Sequence, residues 1–71
     1  MPMPLTMARE GENNTVKKVG GKDETRHFLA SMGFLEGASV TVVSRLGGSL
    51  IVRIKDTRVA LSSSMANRIL V

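Results

Sequence analysis

The chain contains no cysteine, so neither a disulfide framework nor a thiolate metal centre can brace it. It has no tryptophan or tyrosine, and its only aromatic residues are Phe28 and Phe34. That leaves none of the stacking platforms on which small barrels hold single-stranded nucleic acid. Histidine occurs once, at His27, too few for a ferrous site built from converging histidines and carboxylates. A serine nucleophile drawn from Ser62, Ser63 or Ser64 would have only that histidine as its base and no acid to orient it. The apolar runs, VTVV and RILV among them, stop far short of the roughly 20 residues that span a bilayer. The opening MPMPLTMARE has no basic lead and its apolar part is broken by prolines, so it does not read as a signal peptide and a cytoplasmic location is expected.

What remains is a chain of 71 residues, read as one domain over residues 1–71, near the lower limit at which an apolar core outweighs chain entropy. Ten lysines and arginines against six acids give a net charge of +4. That balance suits nucleic acid, an anionic lipid surface or an acidic protein, without choosing among them. The five methionines suggest core packing at Met32 and Met65 rather than a soft-metal site. No nucleotide-binding loop is present, because Gly21 and Lys22 are followed by Asp23, and Val16 stands where the first glycine would be.

Periodicity along the chain predicts the elements. Residues 1–14 read as a short ordered arm, with Thr6 suited to start a helical turn and Gly11 to Asn14 supplying turn chemistry. TVKKVGG reads as a strand ended by Gly20 and Gly21, with the adjacent outward residues Lys17 and Lys18 suggesting a bulge. A helix is predicted from Asp23, since Asp23 and Glu24 complement the positive end of its dipole, and Gly33 fits the left-handed position past its C-terminus. Its apolar face is Thr25, Phe28, Leu29 and Met32, with Arg26 and His27 turned away. Strands follow over ASVTVVSRL and SLIVRI, joined by Gly47 and Gly48, whose residue type adopts the positive φ angles of a two-residue hairpin. KDTR makes the next turn and RVALS the third strand of this meander. SSSMANRILV ends the chain with a serine-capped helical turn and a last strand through Ile69 and Val71 that closes the sheet.

These elements imply a mainly β fold: a small SH3-like barrel of about five antiparallel strands with one short α-helix, an OB-type barrel being the nearest competitor. Gly33 ends the helix, Phe34 or Leu35 plugs an end of the barrel, and Gly37 turns the chain into the central strand.

With those residues in hand, the sequence resembles the FeoA family of small proteins of bacterial ferrous iron uptake, whose domain also forms the C-terminal module of some metal-dependent repressors. PLTMAREG looks like the family's opening, RHFLASMGFLEG like its Arg-x-x-Leu-x-x-Leu/Met-Gly-apolar-x-x-Gly core, and VALSSSMANRILV like its ending. Glu36 stands where members usually carry proline, and Ala8 replaces a commoner larger apolar residue. The resemblance implies a non-enzymatic accessory or regulatory protein that docks on the membrane ferrous iron transporter at its cytosolic GTP-binding domain. None of the matching positions is catalytic, and with a single histidine and scattered acids no resident metal or cofactor is expected either. The expected partner-binding residues are Arg26, His27, Phe34, Leu35 and Glu36, held in shape by Leu29, Met32, Gly33 and Gly37.

Two other readings stand beside this one. Arg45, Arg53, Lys55 and Arg58 gather on the meander in sequence, with Lys17 and Lys18 nearby, and would suit a basic barrel that binds nucleic acid. A repressor-type, peptide-binding SH3-like module is the other. Direct membrane insertion is not expected.

Overall fold

The computed structural model describes residues 1–71 and contains six short strands, two α-helices and a 3-10 turn. The 3-10 turn, Leu5–Met7, is followed by β1 (Asn13–Thr15), β2 (Lys18–Val19), α1 (Asp23–Ser31), β3 (Ser39–Leu46), β4 (Ser49–Ile54), β5 (Thr57–Ser62), α2 (Ser63–Ala66) and β6 (Ile69–Leu70). The mainly antiparallel, SH3-like fold expected from the sequence is the fold observed, with α1 over its predicted span.

The strands do not form one closed sheet. β1, β3, β4 and β5 make a four-stranded sheet in the order β1-β3-β4-β5, while β2 and β6 pair separately. The cause lies at Val16 and Lys17, where the expected single strand breaks. Val16 N–H donates to Ala38 O at 2.8 Å, and the next amide, Lys17 N–H, donates to Leu70 O at 2.7 Å. Val16 is buried and Lys17 exposed, so the chain leaves β3 for β6 within one residue. The predicted bulge is found elsewhere, at Val43 in β3, where the register against β4 shifts between Val42 and Ser44.

The N-terminal arm is part of the core. Leu5 is fully buried, Met3 exchanges backbone hydrogen bonds with Val71 at 2.9 and 2.8 Å, and Pro4 bridges Leu70. Thr6 does not start the turn, which begins after Pro4. Its hydroxyl donates instead to Asn67 Oδ1 at 2.8 Å.

Fourteen apolar residues fill the interior, among them Leu5, Leu29, Phe34, Ile54, Leu61 and Ile69. Along β4 the alternation predicted from sequence holds, with Leu50, Val52 and Ile54 buried and Arg53 exposed. Ser62 caps α2 by accepting from Met65 N–H. Met32 packs partly buried against the core, and Met65 is half-buried. No helix is long and apolar enough to cross a membrane.

Candidate functional site

The site begins with the way α1 ends. Gly33 takes φ +104°, a left-handed value that L side chains rarely adopt. Its N–H donates to Ala30 O at 2.9 Å, and Phe34 N–H donates to Leu29 O at 3.0 Å. These two bonds form a Schellman motif, which satisfies the last helical carbonyls and favours an apolar contact between the residue after the glycine and the last turn. That residue is Phe34, buried together with Leu29. The motif therefore sends Phe34 inward and its successor outward: Leu35 is 51 % exposed and Glu36 is exposed. Gly37, at φ +88°, donates to Val16 O at 2.8 Å and turns the chain into β3.

The helix sits rotated from its predicted orientation. Leu29 is the centre of its buried stripe, flanked by half-buried Thr25, Ala30 and Met32. Phe28, about 100° further round, falls outside that stripe and is 48 % exposed, although sequence spacing placed it inside. Leu29 is the one fully buried side chain of this nine-residue helix, so its apolar stripe is narrower than the pattern suggests.

Between α1, the Phe34–Gly37 loop and β2 lies an open groove of about 550 Å³, lined by Lys18, Val19, Arg26, His27, Ala30, Phe34, Leu35 and Glu36. The five residues expected to bind a partner, Arg26, His27, Phe34, Leu35 and Glu36, thus share one concavity. Phe34 contributes from within the core, and the others are exposed. Lys18 and Val19 were not foreseen; the only sequence signal was an outward lysine beside an inward valine. Leu29, Met32, Gly33 and Gly37, expected to hold this surface in shape, are not among the lining residues; they form the end of α1 and the turn into β3. Arg26 pairs with Asp23 one turn earlier, which leaves Lys18, His27 and Glu36 as the groove's unpaired polar side chains.

The basic cluster expected on the meander is divided. Arg45 Nη2 donates to Thr6 O at 2.8 Å and Ala8 O at 2.5 Å, with Glu10 at 3.8 Å, and so clamps the N-terminal arm to β3. Arg53 and Arg58 stay together as direct cross-strand neighbours. A second, smaller concavity of about 340 Å³ carries Thr6, Arg45, Ser49, Ser63, Ser64 and Asn67. Of its serines, Ser63 Oγ donates to Gly48 O at 3.0 Å, while Ser64 Oγ lies 3.2 Å from Oγ of Ser62, the residue that caps α2. His27 lies in the other groove, and no three His, Cys, Asp or Glu side chains converge.

Comparison with known proteins bears on this geometry. The family model of the FeoA domain matches residues 3–71. The chain is 32 % identical over 68 residues, 96 % of its length and 83 % of the relative's, to a provisionally named Fe(2+) transport protein A of Methanocaldococcus jannaschii. It is similar to the crystal structure of an iron uptake regulatory protein, FeoA, with 28 % identity, 99 % of this chain and 93 % of that one covered, and a TM-score of 0.89. The zinc complex of Stenotrophomonas maltophilia FeoA, an SH3 domain protein, gives 29 % identity, 97 % and 86 % coverage and a TM-score of 0.80.

Proposed function

The chain belongs to the FeoA domain family, and from that premise we propose that it is a non-enzymatic, cytoplasmic accessory protein of ferrous iron uptake that docks on the membrane transporter at its GTP-binding domain. The observation that carries this reading is the α1 groove. A projecting apolar side chain, Leu35, stands beside the cation Lys18, the anion Glu36 and His27, with exposed Phe28 on the same helix. An apolar centre inside a mixed polar rim is the anatomy of a protein interface. The groove is built on a capped helix end and so keeps its shape without a partner. Docking there needs no chemistry from the chain, in keeping with its lone histidine.

Charge reversal tests it. In cells that depend on ferrous uptake, Arg26→Glu is expected to impair uptake, while Arg9→Glu, at an exposed arginine outside the groove, leaves it unchanged. Circular dichroism verifies that both variants fold. Immobilised wild-type protein should also retain the isolated GTP-binding domain, and the Arg26→Glu protein should retain less. Wild-type uptake in both variants would place docking elsewhere.

A further inference from the structure

β5 forms one border of the four-stranded sheet and is paired only on its inner side, along β4. The turn between β4 and β5 has two residues, Lys55 and Asp56, both at positive φ, which makes Ile54 and Thr57 a mutually hydrogen-bonded pair. Antiparallel alternation then gives Val52 with Val59 and Leu50 with Leu61 the same status. Arg58 and Ala60 therefore turn their N–H and C=O groups outward. Both residues are exposed, and neither takes part in any backbone hydrogen bond outside the ladder. Two donors and two acceptors in a row along an extended edge are what another extended chain completes.

Charge on this edge has one sign. Arg53 and Arg58 face each other in a pair that lacks reciprocal hydrogen bonds, the geometry in which side chains lie closest and like charges repel most. Neither has an acidic partner, since the ion pairs of the chain are Arg26 with Asp23 and Arg45 with Glu10. A second copy of this chain, docked edge to edge, would add another arginine pair to the same face. Nucleic acid would engage the two cations but leave the outward amides and carbonyls unmatched.

We propose that the β5 edge binds an extended acidic segment of another polypeptide, which adds as a further strand through the backbone of Arg58 and Ala60 and sets a carboxylate against the Arg53–Arg58 pair. None of these residues lines the α1 groove, so the proposal stands whether or not docking occurs there.

The probe is a labelled seven-residue peptide of alternating threonine and glutamate, titrated by fluorescence anisotropy at physiological salt. Saturable binding is expected. It should fall about ten-fold or more with lysine in place of glutamate, with N-methyl groups on one of the two alternate sets of peptide amides, and in the Arg53→Gln/Arg58→Gln protein. Amide exchange at Arg58 and Ala60 should slow in the complex while that at Val59 is unchanged. Ala60→Pro removes an outward N–H and no ladder bond, so it should abolish binding and keep the circular dichroism spectrum. No binding of the glutamate peptide, full binding of both N-methylated forms, unchanged exchange at Arg58 and Ala60, or tighter binding of an oligothymidine than of the peptide would each overturn the proposal.

Discussion

Two hairpins join β3, β4 and β5, each through two residues, and they meet their backbone requirements by different means. At Gly47–Gly48 the first residue takes φ +59° and a residue without a side chain fills the position. Nothing lies within 4 Å of either glycine's missing Cβ, and Leu46 just before the turn is 73 % exposed. At Lys55–Asp56 two residues with side chains take φ 49° and 62°, and the preceding Ile54 is buried. There the turn is seated against the end of α1: a Cβ on Gly33 would meet Lys55 Cδ at 3.3 Å and Ile54 Cγ1 at 3.4 Å. One hairpin is shaped by its own residues and the other is held by its contact with a helix. A turn that tertiary packing holds can carry side chains that an isolated turn would reject.

The largest test removes the seat. Gly33→Val combines a left-handed penalty with overpacking against Lys55 and Ile54 and should cost about 3 kcal/mol, a large share of the stability of a small domain. Gly37→Val, at φ +88° with no neighbour within 4 Å, should cost only the conformational part, about 1 to 2 kcal/mol. Equal shifts in the urea midpoints of the two variants would mean that the contact with Lys55 does not hold the second hairpin.

A smaller effect is expected at the free hairpin. Gly47→Ala should destabilise by about 1 kcal/mol, through backbone strain alone, because the added methyl meets nothing. A larger loss of unfolding free energy in chemical denaturation would show that this turn, too, depends on something it touches.

The smallest effect has the opposite sign. Asp56→Gly relieves a positive φ and should raise stability by about 0.5 kcal/mol. Lys55→Gly offers the same relief but loses the stem that packs on Gly33, so its denaturation midpoint should not rise. A matching gain in both would reduce the second hairpin to the same kind as the first.

Much of this was legible in the sequence because it is local. The span of α1, the left-handed Gly33, the strands of the meander and the serine cap of α2 follow from periodicity and turn chemistry within a few residues. Residue type alone suits both Gly47 and Gly48 to positive φ angles, and only Gly47 takes one. The choice between Phe34 and Leu35 as the buried residue follows from the Schellman geometry, which spacing alone does not reveal. Contacts between distant segments were not legible. The exchange of partners at Val16 and Lys17 depends on β3 and β6, far along the chain, and Arg45 left the basic cluster for carbonyls of the N-terminal arm. For the same reason Lys18 and Val19 joined the groove unannounced, whereas Arg26, His27, Leu35 and Glu36, close in sequence on one helix and its exit, were readable as a set.

The exchange of hydrogen bonds between Met3 and Val71 has a consequence for how the chain is made. A ribosome releases the N-terminus first, yet Met3, Pro4, Lys17 and the β2 pair Lys18–Val19 all take partners from residues 69–71. At about 5 to 20 residues per second, the roughly 50 residues between Val19 and Val71 take about 3 to 10 seconds to synthesise. The meander of local hairpins can assemble in that interval. β2 and the segment around Leu5 cannot, so this domain completes its folding as a whole only after residues 69–71 have left the ribosome.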